Sequence, residues 1–186
     1  ILWGSLNTGH RASIFTTENT IRSLLTQMNS LNLVISDYYL LGRLHIYPVR
    51  AMREEEEPEA ALKFLLELLA REDDSVIIDS LTSFLVRAKD EQAISFFEDC
   101  KSLCNDTRTI INAVHSYALN ESLLVRISSL CDAHLKLRIE IIGAQLVKML
   151  EVSKVRGAEC NTGNIVSFEV EPKCGMRIIP LCQARA

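Results

Sequence analysis

Residues 75–83 read SVIIDSLTS, and this stretch constrains the fold more than any other in the chain. Three apolar residues, Val76, Ile77 and Ile78, run without a polar break into Asp79, and three of the next four residues carry a hydroxyl. A continuous apolar run of this length is the pattern of a strand covered on both faces, as in a parallel sheet. Ending such a strand on a carboxylate places an acid at its carboxyl end. In open parallel sheets that end is where ligands bind.

The flanking segments alternate in the matching sense. Residues 1–9 read as the end of a helix, and Arg11–Thr17 as a short strand. Asn19–Leu31 places Ile21, Leu24, Leu25 and Met28 at helical spacing. A short helix over Asp37–Gly42, closed by Gly42, precedes a strand over Leu44–Val49 that stops near Pro48. Pro58 among glutamates is a first-turn signal, because the acids face the positive end of a helix. The apolar face of that helix reads as Ala61, Leu65, Leu68 and Leu69. Asp90–Asn105 is a helix with Ile94, Phe97 and Leu103 inward, Thr109–His115 a strand and Leu119–Ser129 a helix. From Asp132 onward apolar and polar residues alternate, punctuated by Gly143, Gly157, Gly163 and Gly175, which is the pattern of an antiparallel meander. The expected fold class is α/β, three layers, with a mostly parallel sheet core and a C-terminal antiparallel hairpin extension.

Composition narrows the function classes. With 186 residues the chain suits a single domain of residues 1–186. A net charge of −4 argues against general nucleic-acid binding. No run of eighteen apolar residues is present to span a membrane, and the start lacks the basic and apolar regions of a signal peptide. The six cysteines (100, 104, 131, 160, 174 and 182) include no C-x-x-C pair, and the four histidines form no zinc signature with them. They read as reduced thiols serving as small apolar residues, although Cys100 and Cys104 lie one helical turn apart. Glu54–Glu57 reads as a solvated helix start. The chain opens inside a helix with no cap before it, so residues upstream of Ile1 are expected.

The strand ends collect one set of side chains. The first ends at Thr16-Thr17-Glu18-Asn19, the third at Asp79-Ser80-Leu81-Thr82 and the fourth at His115-Ser116, while a hairpin tip carries Lys154-Val155-Arg156-Gly157. Phosphoryl chemistry needs such a set: one carboxylate for magnesium, another to orient water, and cations for the spreading charge. Each residue has a plainer use. Asp79 can cap the following turn, Glu18 can face a helix dipole, His115 can be a satisfied strand-end residue, and Lys154 and Arg156 can be solvated.

The order TTEN, QMNSL, DYYLLGRLHIYP, VIIDSLTSF, VSKVRG and MRIIPL resembles the KaiC-like branch of the RecA-superfamily ATPases over nearly the whole chain. IFTTEN…LGRLHIYP and the VSKVRG hairpin are its most specific parts. Within that branch the resemblance is to the accessory ATP-binding subunits of the archaellum, the archaeal swimming motor. The resemblance implies ATP and Mg²⁺ as cofactors. Asp79 matches the Walker B aspartate that holds the metal, with Ser80 beside it at the nucleotide. Glu18 matches the glutamate that orients the attacking water. His115 and Ser116 match the position that senses the γ-phosphate. Lys154 and Arg156 match a KxRG pair that reaches the nucleotide of a neighbouring subunit.

It further implies a cytoplasmic protein at the inner face of the cell membrane, without insertion into it. There it would form a homo-oligomeric ring and signal nucleotide state to the motor ATPase and the membrane platform protein, with hydrolysis slow or absent. The family's phosphate loop, G-x-x-x-x-G-K-[ST], is missing from these residues and is expected upstream. Ala158-Glu159-Cys160 lack the hydroxyl and imidazole that some relatives carry after the hairpin. Two other readings remain. A KaiC-like or RadA-like ATPase acting on itself or on DNA is disfavoured, for DNA, by HSYALNESLLVRISSL, which has one Arg, no Lys and no Gly. A nucleotide-free interaction domain fits the chain literally.

Overall fold

The computed structural model describes residues 1–50, 57–71, 74–105, 108–143, 145–157 and 165–179. Glu54–Glu56, Ala158-Glu159-Cys160, Gly163, Pro180-Leu181 and Cys182 lie outside the described residues, so the expectations placed on them are not taken up below. The chain divides into two compact units. The first holds Ile1–Ser30 and Val34–Leu130, the second Leu31–Leu33 and Cys131–Ala186.

The first unit is a parallel sheet between helices. Its strands are β1 (Ala12–Thr16), β2 (Leu44–Pro48), β3 (Ser75–Asp79) and β4 (Thr109–Asn112), in spatial order β2-β1-β3-β4. All pairs are parallel, with Thr16 level with both Pro48 and Asp79. β1 is central, and all five of its residues are buried. One sheet face presents Ala12, Ile14, Leu44 and Ile46 to helices α1 (Leu2–Asn7), α2 (Ile21–Ser30) and α3 (Ser36–Leu40). Leu2, Leu6, Leu24 and Ile35 complete that core, with Trp3, Met28 and Tyr38 packed at its margin. Gly42, which follows α3 with φ +67°, adopts the left-handed conformation that ends a helix cheaply only as glycine.

The opposite face is covered by α4 (Pro58–Leu69), α5 (Thr82–Leu85) and α6 (Asp90–Cys104), with α7 (Glu121–Leu130) packed on α6. Two expected helix faces are rotated from the sequence reading. In α4 the fully buried residues are Leu62, Leu65 and Leu69, while Ala61 and Leu68 are half-buried beside a groove. In α6 the buried stripe is Ala93, Phe96, Phe97 and Cys100, and Ile94 and Leu103 are only half-buried. On both helices the apolar residues spread well beyond a single narrow stripe. Periodicity alone therefore leaves the facing stripe ambiguous by about one residue, and packing selects it. Pro58 stands in the first turn of α4 as its sequence requires.

The second unit is an antiparallel sheet of four sequential strands, β5 (Ala133–Ile142), β6 (Gln145–Val155), β7 (Ile165–Glu171) and β8 (Gly175–Ile179). The meander is where the alternation puts it, and these strands form a sheet of their own. On one face Lys136 and Arg138 flank Glu151 at 3.6 and 3.5 Å, and Arg177 reaches Glu171 at 2.6 Å. On the other, Leu135, Leu137 and Ile141 of β5 stand level with Val152, Leu150 and Leu146 of β6, and Ile139 stands level with Lys148. Leu31–Leu33 joins this unit through the Lys173 N–H, which donates to the Leu31 carbonyl at 2.7 Å. Among the described residues no helix is long and apolar enough to cross a membrane.

Candidate functional site

The carboxyl ends of β1 and β3 are tied together by hydroxyls. The Thr16 side chain, buried beneath the turn, accepts from the N–H groups of Glu18 at 3.2 Å and Asn19 at 3.0 Å. That fixes the backbone of Glu18. Thr20 and Ser23 then exchange side-chain-to-backbone hydrogen bonds at 3.1 and 2.8 Å, which caps α2. Glu18 thus lies in the turn ahead of the helix rather than in its first turn. Across the sheet, the Thr17 N–H donates to the Asp79 carbonyl at 2.9 Å. The Thr17 hydroxyl both donates to the Ser80 carbonyl and accepts from the Ser80 N–H, each at 3.2 Å. The Asp79–Ser80 peptide is cis.

Glu18 and Asp79 consequently share one corner of the sheet. The buried Ser80 hydroxyl donates to Glu18 Oε1 at 3.3 Å. Burial pushes the Asp79 carboxyl above its ordinary range, the Glu18 charge pushes it the same way, and His115 pulls it partly back. Asp79 thus lies within electrostatic reach of both Glu18 and His115. His115 stands just past β4, where its N–H donates to Thr82 Oγ1 at 2.9 Å and its Nδ1 pairs with that hydroxyl at 3.1 Å. Ser116 opens a single 3₁₀ turn, Ser116–Ala118.

Lys154 and Arg156 belong to the second unit. Lys154 lies within the β5–β6 ladder, level with His134, and Arg156, one residue past β6, pairs with Asp132 through its side chain at 3.2 Å and its backbone N–H at 2.7 Å. The sequence marks Thr16, Thr17 and Thr82 only as hydroxyls near strand ends. The partners of Thr17 and Thr82 lie 63 and 33 residues away, so nothing local identifies those two as tethers of the site, whereas Thr16 bonds within its own turn.

The donor set suits a hard divalent cation that arrives with its own oxygen ligands. Among the described residues no group of three or more His, Cys, Asp or Glu side chains could hold a metal alone. Two neighbouring carboxylates, one of them resisting ionisation, are a fit for Mg²⁺, which takes one or two carboxylates and completes its shell with water and phosphate. The phosphate cradle is another matter. Gly4 and Gly9 have the interval of the first two P-loop glycines, but His10 and Arg11 follow instead of Lys-Ser/Thr, and Gly4 lies inside α1. These residues do not form that cradle.

No protein-family model matches the chain. It is 28% identical, over 98% of its length and 82% of the relative's, to the archaeal flagellar ATP-binding protein FlaH of Sulfolobus acidocaldarius. The FlaH of Methanocaldococcus jannaschii is 26% identical over 96% of this chain and 78% of its own. The crystal structure of the flagellar accessory protein FlaH from M. jannaschii superposes with a TM-score of 0.80 at 25% identity, covering 96% of this chain and 80% of that one. A KaiC-like protein from Pyrococcus horikoshii gives a TM-score of 0.70 at 16% identity over 95% of this chain and 79% of that one, a likeness of fold alone.

Proposed function

We propose that this chain, which is similar to the archaeal flagellar ATP-binding protein FlaH and shares the fold of a KaiC-like protein, is an ATP-binding regulatory subunit of the archaellum in which the nucleotide acts as a switch. The observation that carries this reading is the corner where Thr17 and Ser80 draw Glu18 toward Asp79. A half-buried carboxyl held above its ordinary range beside a second acid has an unmet need for a cation, and Mg-ATP supplies one.

In this reading Asp79 holds the magnesium, whose chemistry is to neutralise charge on the phosphates. Glu18 orients water toward the γ-phosphate, and its tie to Ser80 limits its freedom to act as a base, which favours slow hydrolysis. His115 faces the γ-phosphate and Ser116 passes its presence into the following turn. Lys154 and Arg156 carry positive charge to the nucleotide of a neighbouring copy in a homo-oligomeric ring. Supplying cations in trans makes the site depend on assembly. The partners are the motor ATPase and the membrane platform protein, met at the cytoplasmic face of the membrane.

The test is ATP titration by calorimetry, with and without Mg²⁺, on protein that includes the phosphate loop. Wild type is expected to bind more tightly with Mg²⁺, and Asp79→Asn to lose that gain. Equal affinities with and without the metal in both proteins would remove Asp79 from its assigned role.

A further inference from the structure

We infer that Thr82 is a positioning residue that holds neutral His115 as its Nε2–H tautomer, so that the outer ring nitrogen is a ready N–H donor to an anionic oxygen. The functional use of this device rests on the reading of His115 as the residue that meets the γ-phosphate; the geometry itself does not.

Past the end of β3 and β4 the two chains remain zipped. The Ala113 N–H donates to the Ile78 carbonyl at 2.9 Å and the Leu81 N–H donates to the Ala113 carbonyl at 2.9 Å. The next rung has no backbone carbonyl to use, and the Thr82 hydroxyl replaces it by accepting from the His115 N–H at 2.9 Å. The same oxygen meets His115 Nδ1 at 3.1 Å. A hydroxyl has one hydrogen and two lone pairs. With one lone pair engaged by the His115 N–H, its hydrogen is left to point at Nδ1, which must then be the unprotonated nitrogen. The reverse arrangement, with Nδ1–H donating, would turn the hydroxyl hydrogen out to solvent, because Thr82 is partly exposed and has no third partner among the described residues, whereas the Nε2–H tautomer satisfies that hydrogen within the protein. Tyr117 flanks the ring at a centroid distance of 5.5 Å. Which nitrogen carries the proton is set by the bond the other one makes, and here one side chain makes that bond while also fixing the backbone beneath it.

The experiment is a multiple-bond ¹H–¹⁵N correlation spectrum of the imidazoles, recorded without nucleotide at mildly alkaline pH on wild type, Thr82→Ser and Thr82→Val. The His115 signal is assigned by its loss in His115→Gln. Wild type and Thr82→Ser are expected to show the Nε2–H pattern, and Thr82→Val a mixture of the two tautomers. An Nδ1–H pattern or a mixture in wild type overturns the inference, as does an unchanged pattern in Thr82→Val. If Thr82→Val does not fold, the wild-type pattern and its retention in Thr82→Ser decide the matter. ATP affinity is read separately. Loss of one hydrogen bond to a charged group should weaken binding by about tenfold or more in His115→Ala, which keeps no side-chain donor. Unaltered affinity in that variant, with the tautomer as expected, overturns the phosphate-facing role of His115 and leaves the Thr82 anchor standing.

Discussion

The Thr17 hydroxyl closes on the backbone of Ser80 from both sides, donating to its carbonyl and accepting from its N–H at 3.2 Å each. Sixty-three residues separate the two in sequence. Through this closure the turn that carries Glu18 and the strand end that carries Asp79 become one piece of structure. The corner is thereby organised before any ligand arrives.

Replacing Thr17 with Val keeps the shape and removes both hydrogen bonds, leaving two part-buried backbone groups of Ser80 unmatched. The expected cost is about 1–3 kcal/mol, read as a lower urea midpoint, whereas Thr17→Ser should stay near wild type. An unchanged midpoint in Thr17→Val would show that the closure contributes nothing.

Asp79 gives a pH prediction of unusual sign. Its carboxyl titrates above the ordinary range in the folded chain, because burial and Glu18 disfavour the charge. The folded state therefore holds this proton more tightly than the unfolded state does. Stability from this group is present in acid and is lost as pH rises through the raised value. Without nucleotide, Asp79→Asn should melt no lower than wild type at neutral pH, and its advantage should shrink toward the ordinary carboxylate range. A clear fall in Tm at neutral pH would contradict this.

Glu151 should behave in the opposite way. The Ser153 hydroxyl at 2.8 Å, then Lys136 and Arg138, hold its carboxyl below the ordinary range against a smaller opposing effect of burial. Its contribution is present above the unfolded value and is lost as pH falls through the depressed one. Glu151→Gln should be less stable than wild type at neutral pH and converge with it in strong acid. Parallel melting curves across pH would refute the pairing.

The α6 stripe can be tested by truncation on two neighbouring faces. Phe96 is buried and meets the Phe97 ring edge-on at 5.7 Å, so Phe96→Ala should cost about 3–5 kcal/mol. Ile94→Ala, on the half-buried face, should cost clearly less. Equal losses would mean the stripe lies where periodicity alone puts it.

Lys154→Ala and Arg156→Ala should impair ATP-dependent assembly, measured by size-exclusion chromatography with light scattering, more than they impair folding. The Arg156–Asp132 pair is about half exposed, and such bridges contribute at most about 1 kcal/mol. Normal assembly of both variants with ATP would dismiss the contact in trans.

The sequence by itself determined the succession of elements. The runs ASIFT, LHIYP and SVIID, the proline-led α4, the α6 periodicity and the final alternation are local patterns, each written within a dozen residues, and the chain adopts them nearly where they stand. It also determined that acids, hydroxyls and a histidine stand at strand ends. Tertiary structure alone decided the strand order, which sets β1 between β2 and β3, and the separation of the described strands into two sheets. It also decided the rotation that buries Leu62 and Phe96 in place of Ala61 and Ile94. Packing against a sheet, not periodicity, chooses among adjacent apolar stripes. The tethers of Thr17 to Ser80 and of Thr82 to His115 span sixty-three and thirty-three residues. A hydroxyl carries no mark of its distant partner in its neighbours along the chain, and only the register of parallel strands brings the two within hydrogen-bonding reach.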